Sequence, residues 1–309
     1  MPNSDSRVAV AILTHNRCPE VLRSLERLTS LPEKPAIVLV DNASSDGTVE
    51  AVSARYPEVE VIRSTTNLGA AGRNLALLRL NAPYVALSDD DTWWQPGSLA
   101  RARELFDAHP RLAVATARVL VGPEEELDPT CLVMEASPLA AEPGLPGRPL
   151  LGFLAGASVV RREAFLEAGG FNERLFLGGE EQWVAAELAS RGWWLCYVPE
   201  MVVHHHPSPH REASRRRWHE VRNALWFAWL RRPPSSALAC TLWLARTRRF
   251  SDMWRGLLAA LSGLPRIWNM RRIVPENVEE GFRRLDAMER EHRCGASAER
   301  RRKIAGVSP

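Results

Sequence analysis

The chain has 309 residues, 45% of them hydrophobic and 25% charged. That is enough for one large globular domain or two smaller ones. A formal net charge of +3 argues against nucleic acid as a partner, since it gives no bulk attraction to phosphate. The five cysteines are scattered without C-x-x-C spacing, which argues against a disulfide framework or a thiolate metal site.

The elements read in chain order as alternating strands and helices. "RVAVAILTHNR" is a continuous aliphatic run ending in polar residues, the pattern of a buried parallel strand. "PEVLRSLERLTSL" places Val21, Leu22, Leu25 and Leu28 at helical spacing. "AIVLVDNASSDGT" is a second strand ending in Asp41, followed by a helix opening at Thr48. "VEVIRS" is a third strand, "NLGAAGRNLALLRL" a glycine turn entering a helix, and "YVALSDDD" a fourth strand. Such alternation predicts an α/β fold with a doubly wound sheet, whose ligands bind off the C-terminal strand ends. Thr14-His15-Asn16, Asp41-Asn42 and Asp89-Asp90-Asp91 all fall at such ends and are expected to converge on one crevice.

Further on, "LAVATARVLV" predicts a strand, and the proline-rich residues 136–149 a surface loop. "GASVVRREAFLEAGGF" reads as strand then helix, and "GGEEQWVAAELASRGW" as a helix with Glu180 and Glu181 in its first turn. "WLCYVPEMVVHHH" is a last strand ending in His204, His205 and His206. From Ala213 the chain reads as helical, with Trp218, Val221, Leu225 and Trp229 on one stripe. Arginine dominates this end, in "REASRRRWHEVR", "RTRRF", "NMRRI" and "ERRRK". The expected organisation is an α/β unit over 1–212, in two parts (1–92 and 93–212), then an Arg/Trp-rich helical region over 213–309. The opening residues have no leader pattern, and "SALACTLWLA" is about half the length of a membrane span. A cytoplasmic protein is expected, with peripheral contact at the inner face of a membrane through the C-terminal helices as one role for the arginines, and solvated helix faces as the other.

Three adjacent aspartates repel one another, and helix capping needs only one. Hard carboxylate oxygens suit Mg or Mn, which in turn bridge phosphate oxygens. "AILTHNR", "VLVDNASSDGT", "NLGAAGRN", "LSDDD", "GGFNERLFLGGEE" and "VVHHH", in this order, resemble the inverting family 2 glycosyltransferases of GT-A fold over roughly residues 7–230.

The resemblance implies a Rossmann-like nucleotide-binding sheet joined to an acceptor half. It also implies a nucleoside-diphosphate-sugar donor of UDP or dTDP type and a sugar-bearing or lipid-linked acceptor. By the same resemblance, Thr14, Asn16, Arg17, Asp41, Asn67, Gly69, Arg73, Asp89 and Asp90 border the donor. Asp91 and Asp89, with His204, hold Mn or Mg. Glu181, beside Glu180, stands where the family has its aspartate base. That replacement shifts the carboxylate by roughly 1 Å and keeps open a sugar-binding module without catalysis. "FLAGASVVRR", containing Gly156, and the 136–149 loop border the acceptor, with Trp93 and Trp94 as sugar platforms. A nucleotidyltransferase is the other reading; "AILTHNRCPE" lacks the Gly-rich, Arg/Lys-bearing loop it needs.

Overall fold

The computed structural model describes residues 7–208 and 213–304, with backbone alone at 213–216 and 294–304. The arginines at 211, 215–216 and 300–302 lie outside the described side chains.

The aliphatic runs become strands. These are β1 (Val8–Thr14), β2 (Ile37–Asp41), β3 (Glu60–Arg63), β4 (Tyr84–Asp89), β5 (Thr92–Trp94), β6 (Leu112–Val121), β7 (Glu126–Leu127), β8 (Arg148–Pro149), β9 (Ala157–Arg161) and β10 (Trp194–His205). Between them lie α1 (Cys18–Thr29), α2 (Thr48–Arg55), α3 (Arg73–Arg79), α4 (Ser98–Ala108), α5 (Pro129–Glu135), α6 (Arg162–Glu167) and α7 (Glu180–Ser190). Four helices follow: α8 (Ala213–Arg231), α9 (Pro234–Thr247), α10 (Phe250–Ile267) and α11 (Glu276–Ile304).

All ten strands form one sheet, in the order β3-β2-β1-β4-β9-β6-β10-β5, with β7 beside β6 and β8 beside β10. The α/β alternation is as expected, but the sheet is mixed rather than wholly parallel. β9 runs antiparallel to both β4 and β6, and β5 antiparallel to β10. Because β9 opposes both neighbours, β6 and β10 point the same way as β1, β2 and β4. Thr14, Asp41, Asp89, Val121 and His205 therefore end their strands at one edge of the sheet.

Two apolar clusters hold the chain. The first lies on the sheet: Val10, Ala11, Leu39, Val85, Val114, Val159 and Val198 are fully buried among α1, α3, α4 and α6 side chains. Burying each such side chain contributes on the order of 1.5–3 kcal/mol. The second gathers Leu175, Trp183 and Ala186 with Val221, Leu225, Phe227, Ala260 and Phe282. Helix α7 belongs to both, turning Val184, Ala185 and Leu188 to the first and Trp183 and Ala186 to the second.

Ion pairs with buried carboxylates also cross the second cluster. Glu187 of α7 accepts from Arg231 (2.8 Å), Arg272 (2.9 Å) and Arg191 (3.0 Å). Arg232 makes a two-toothed pair with Glu279, both contacts 3.0 Å, and reaches Asp286 at 2.7 Å.

The proline-rich stretch is not placed as expected. Its last residues, Arg148 and Pro149, pair with Tyr197 and Cys196 near the start of β10, away from the edge where Asp89 and His205 lie. Only the following segment climbs back to that edge, bringing Gly156 against Asp89.

Candidate active site

The aspartate triplet follows β4 and is spread in three directions. Asp90 turns inward and is 5% exposed. It accepts hydrogen bonds from Thr14 Oγ1 (3.0 Å) and Arg17 (3.0 Å), and its carbonyl accepts from Ser24 Oγ (2.8 Å). Burial pushes its carboxyl up to about 7; Arg17 opposes the rise and Asp91 and Asp89 add to it. Asp90 therefore ties the β1 loop to the β4 tip, and Thr14 and Arg17, expected at the donor, spend hydrogen bonds on it.

Asp91 is fully buried. Its Oδ2 accepts from the Ser208 backbone N–H (3.2 Å) and lies 3.5 Å from Arg17; its Oδ1 is 3.5 Å from His205 Nε2. Burial alone would lower the Arg17 guanidinium pKa, but Asp90 and Asp91 hold it above its ordinary value.

Asp89 is the most exposed of the three. It pairs with Arg73 of α3 and packs on Gly156, where a Cβ would sit 2.6 Å from its Oδ2. Any side chain at 156 would push into this carboxylate.

Asp41 is fully buried at the end of β2. Its Oδ2 accepts from Ser44 N–H (3.0 Å), and its Oδ1 has no partner among the described residues. A buried acceptor left unmet is costly in a finished site and suits an incoming donor group.

Its neighbour Asn42 shapes the next loop: Nδ2 donates to Gly69 O (2.9 Å) and Oδ1 accepts from Leu68 N–H (3.2 Å). Asn67 bonds within its own turn, to Gly69 N–H at 2.9 Å. Gly69 has φ +60, and a Cβ there would lie 2.1 Å from Phe176 O; no other residue fits. Asn16, at φ 52, joins the β1 and β2 loops by accepting from Ser45 N–H (2.8 Å).

The histidines alternate along β10 as expected, but the one facing Asp91 is His205, not His204. His204 Nδ1 lies 3.1 Å from Glu125, and its ring stacks on Trp93 at 5.8 Å. His206 meets Trp93 as well, at 4.7 Å. The β5–β10 pairing, which sets His204 opposite Trp93 and His205 opposite Thr92, fixes this choice. The triplet HHH carries no signal that distinguishes the two faces.

The tryptophans are also placed differently from a sugar platform. Trp94 is 1% exposed with its Nε1–H on Ser88 Oγ (3.1 Å), and Trp93 is covered by two imidazoles.

Glu180 is buried and Glu181 half-buried at the start of α7. The loop before them meets the glycine turn: Ala70 N–H donates to Phe176 O at 2.7 Å. Further back, Phe171 is bracketed by Asn74, which accepts from Phe171 N–H (2.9 Å) and donates to Phe171 O (2.7 Å). Asn42 was expected at the crevice with Asp41, and His205 stood in the strand-end triplet with His204 preferred; Ser24 and Ser208 were not singled out, and Ser208, donating to Asp91 through its backbone, left no trace in residue type.

Among the described residues, no three His, Cys, Asp or Glu side chains gather to enclose a metal ion. Asp91 Oδ1 and His205 Nε2 face one another at 3.5 Å, a hard carboxylate oxygen beside an imidazole nitrogen.

The acidic tip follows β4, and the loop that carries the glutamate pair is hydrogen-bonded to the glycine turn through Ala70 N–H and Phe176 O. The sequence profile of glycosyl transferase family 2 matches residues 9–169, and the chain belongs to that family. Over 231 residues it is 29% identical to N-acetylglucosaminyl-diphospho-decaprenol L-rhamnosyltransferase of Mycobacterium tuberculosis, covering 64% of this chain and 75% of that one. Over 109 residues it is 33% identical to a Bacillus subtilis protein described as the uncharacterized glycosyltransferase YwdF, covering 33% of this chain and 39% of the relative. Among solved structures it resembles the mannosyltransferase PcManGT from Pyrobaculum calidifontis, in complex with GDP-Man and Mn2+. The TM-score is 0.57 at 21% identity, over 87% of this chain and 85% of that one.

Proposed function

We propose that this glycosyltransferase moves a sugar, with inversion, from a UDP- or dTDP-type donor to a hydroxyl of a lipid-linked saccharide. The observation that carries the donor half is the Asp91–His205 seat at the strand edge, 3.5 Å across. The acceptor class rests on the relative whose name specifies an N-acetylglucosaminyl-diphospho-decaprenol acceptor.

Asp91 and His205 would hold Mn or Mg, with diphosphate and water completing the shell; the solved mannosyltransferase it resembles carries Mn2+ with its donor. When bound, such a cation neutralises the departing diphosphate. Asp41 Oδ1 accepts from the nucleoside. The turn at Asn67–Gly69 gives the donor a close backbone approach. Asp89, held by Arg73, faces the donor sugar side. Glu181, the more accessible of the glutamate pair, takes the proton from the acceptor hydroxyl. The acceptor oxygen bonds to the anomeric carbon as the bond to the diphosphate oxygen breaks, and that electron pair leaves with the nucleotide. A positioned base contributes roughly 10²- to 10⁴-fold.

A lipid-linked acceptor also calls for access to a membrane surface. No helix among the described residues is long and apolar enough to cross a membrane. Helix α10 instead exposes Phe250, Trp254, Leu258 and Leu261 along one stripe, with Arg248, Arg249, Arg255 and Arg266 close by in sequence. Such a face suits an anionic lipid surface.

Titrating nucleoside diphosphates by thermal shift, with and without Mn, tests the reading. A shift that needs Mn and vanishes in Asp91→Asn is expected, as is loss of transfer in Glu181→Gln. A metal-independent shift of equal size in Asp91→Asn would remove the seat.

A further inference from the structure

The loop 174–179 leads directly into Glu180 and Glu181, and its backbone is strained. Phe176 has φ +61, Gly178 +87 and Gly179 +91, all in the left-handed region, and for Phe176 that carries a steric cost. Three of its carbonyls point away from solvent toward one side chain. Asn223 of α8, 2% exposed, donates through Nδ2 to Leu175 O (2.8 Å), Leu177 O (3.2 Å) and Gly178 O (2.5 Å). Its orientation is fixed because Oδ1 accepts from Arg222 Nε (2.9 Å), which leaves the amide nitrogen facing the loop. Arg222 adds a contact of its own to Leu175 O at 2.8 Å.

On its far side the loop is tied to the glycine turn through Ala70 N–H and Phe176 O. The segment is thus gripped between the donor-side turn and the helical region, and the first residue after the grip is Glu180.

We infer that Asn223 is a positioning residue for the proposed base: by collecting three carbonyls it sets the start of α7, and so the place of the Glu181 carboxylate. This rests on the reading of Glu181 given above. A side chain in the helical region thereby acts on a reaction it does not touch. An amide is suited to the task, because it supplies two N–H groups on one nitrogen at short reach from the helix. Aspartate would have the same shape and turn acceptors toward acceptors, and alanine would take their donor from Leu177 O and Gly178 O, while Leu175 O keeps Arg222.

The test is a double-mutant cycle between Asn223→Ala and Glu181→Gln, read in transfer assays. Alone, Asn223→Ala is expected to lower kcat by about a hundredfold, the cost of roughly 1 Å of misplacement, with the donor KM within about twofold. In the Glu181→Gln background the same change should cost less than about threefold, because there is no base left to misplace. Asn223→Ser, which keeps one hydroxyl donor, should fall between and guards against poor folding of the alanine variant. An equal loss in both backgrounds would reduce Asn223 to a structural residue and overturn the inference. Normal transfer by Asn223→Ala, with Glu181→Gln inactive, would sink the inference alone. Full transfer by Glu181→Gln would sink the base assignment and the clamp with it.

Discussion

The sheet core and the C-terminal helical cluster bury their polar groups in opposite ways. Around the sheet, polar side chains gather at one edge, and the fully buried Asp41 has an oxygen with no partner among the described residues. In the helical cluster the buried charges answer one another: Arg232 with Glu279 and Asp286, Arg231 with Glu187. The first arrangement spends stability on a place for a ligand. The second spends charge on fixing how α7, α8 and α11 meet. Helix α7 is shared by both clusters, so the element that carries the paired glutamates depends on each.

The largest test of this division is Asp91→Asn. It keeps the volume and the contact with Ser208 N–H but removes a charge from the proposed cation seat. Transfer should fall about a thousandfold, in the upper range for losing one electrostatic contact to the reacting groups, while thermal stability changes little. Full-speed transfer by this variant in chelator would place the chemistry elsewhere. On the helical side, Glu279→Gln should instead cost about 1.5–3 kcal/mol, the usual worth of hydrogen bonds to a charged group, because Asp286 still answers Arg232. Urea denaturation measures it, and a loss under 1 kcal/mol would show that the pair is not holding the cluster. Gly69→Ala strikes the join between the regions. A φ of +60 and a Cβ 2.1 Å from Phe176 O predict a loss of about 1–3 kcal/mol, together with weaker nucleotide binding.

The two regions were also unequally legible. Strands β1, β2, β4, β6 and β9 stood out because continuous aliphatic runs end in polar residues, and the shared edge of β1, β2 and β4 followed from the βαβ rule. What the runs could not show was direction: β9 is as apolar as its neighbours yet antiparallel, since nothing in Ala157–Arg161 encodes the path of the chain before it. At the site, the acidic tip and paired glutamates were visible as excess charge. The choice of His205 over His204 depends on register against β5, which no local pattern carries. Trp94 was visible as an aromatic beside the motif, but its burial and its bond to Ser88 Oγ depend on how β5 meets β4, which residue type does not show. The buried arginines of the helical region were read as a charged surface, because a pair such as Arg232 with Glu279 is separated by most of two helices and appears in sequence as two ordinary surface residues. Asn223 was hidden for the same reason.

Acid should separate the regions further. His219 of α8 packs between Trp218 (3.7 Å) and Phe176 (5.8 Å), and burial, with Arg222 adding its charge, lowers its pKa to about 4. A group whose folded pKa lies below its unfolded value of about 6.5 binds protons more readily when unfolded. Stability should therefore decline as pH falls from about 6.5 toward 4. Glu279 and Glu187 work in the same direction at lower pH. Burial alone would raise both, yet their arginine partners hold them below the ordinary value, so their contribution is lost as they protonate. His219→Asn should flatten the upper part of this decline in thermal scans; an unchanged slope would mean that another group governs it.

The smallest expected effect concerns the outer face of the helical region. Phe250 is 84% exposed and Trp254 53%, on the side of α10 away from buried Gly256 and Ala260. Neither side chain is buried in the second cluster, so replacing both with serine should leave the fold and transfer to a short soluble acceptor within about twofold. Removing two exposed aromatics from a lipid-facing stripe should still weaken sedimentation with anionic vesicles, by about tenfold at the scale of 1.4 kcal/mol per decade. Raising salt should weaken it further if the neighbouring arginines contribute, since exposed charges are screened within a Debye length near 8 Å. Equal binding of the wild type and the serine variant to anionic vesicles would show that this face serves no lipid surface. The helical region would then act on the reaction only through its hold on α7.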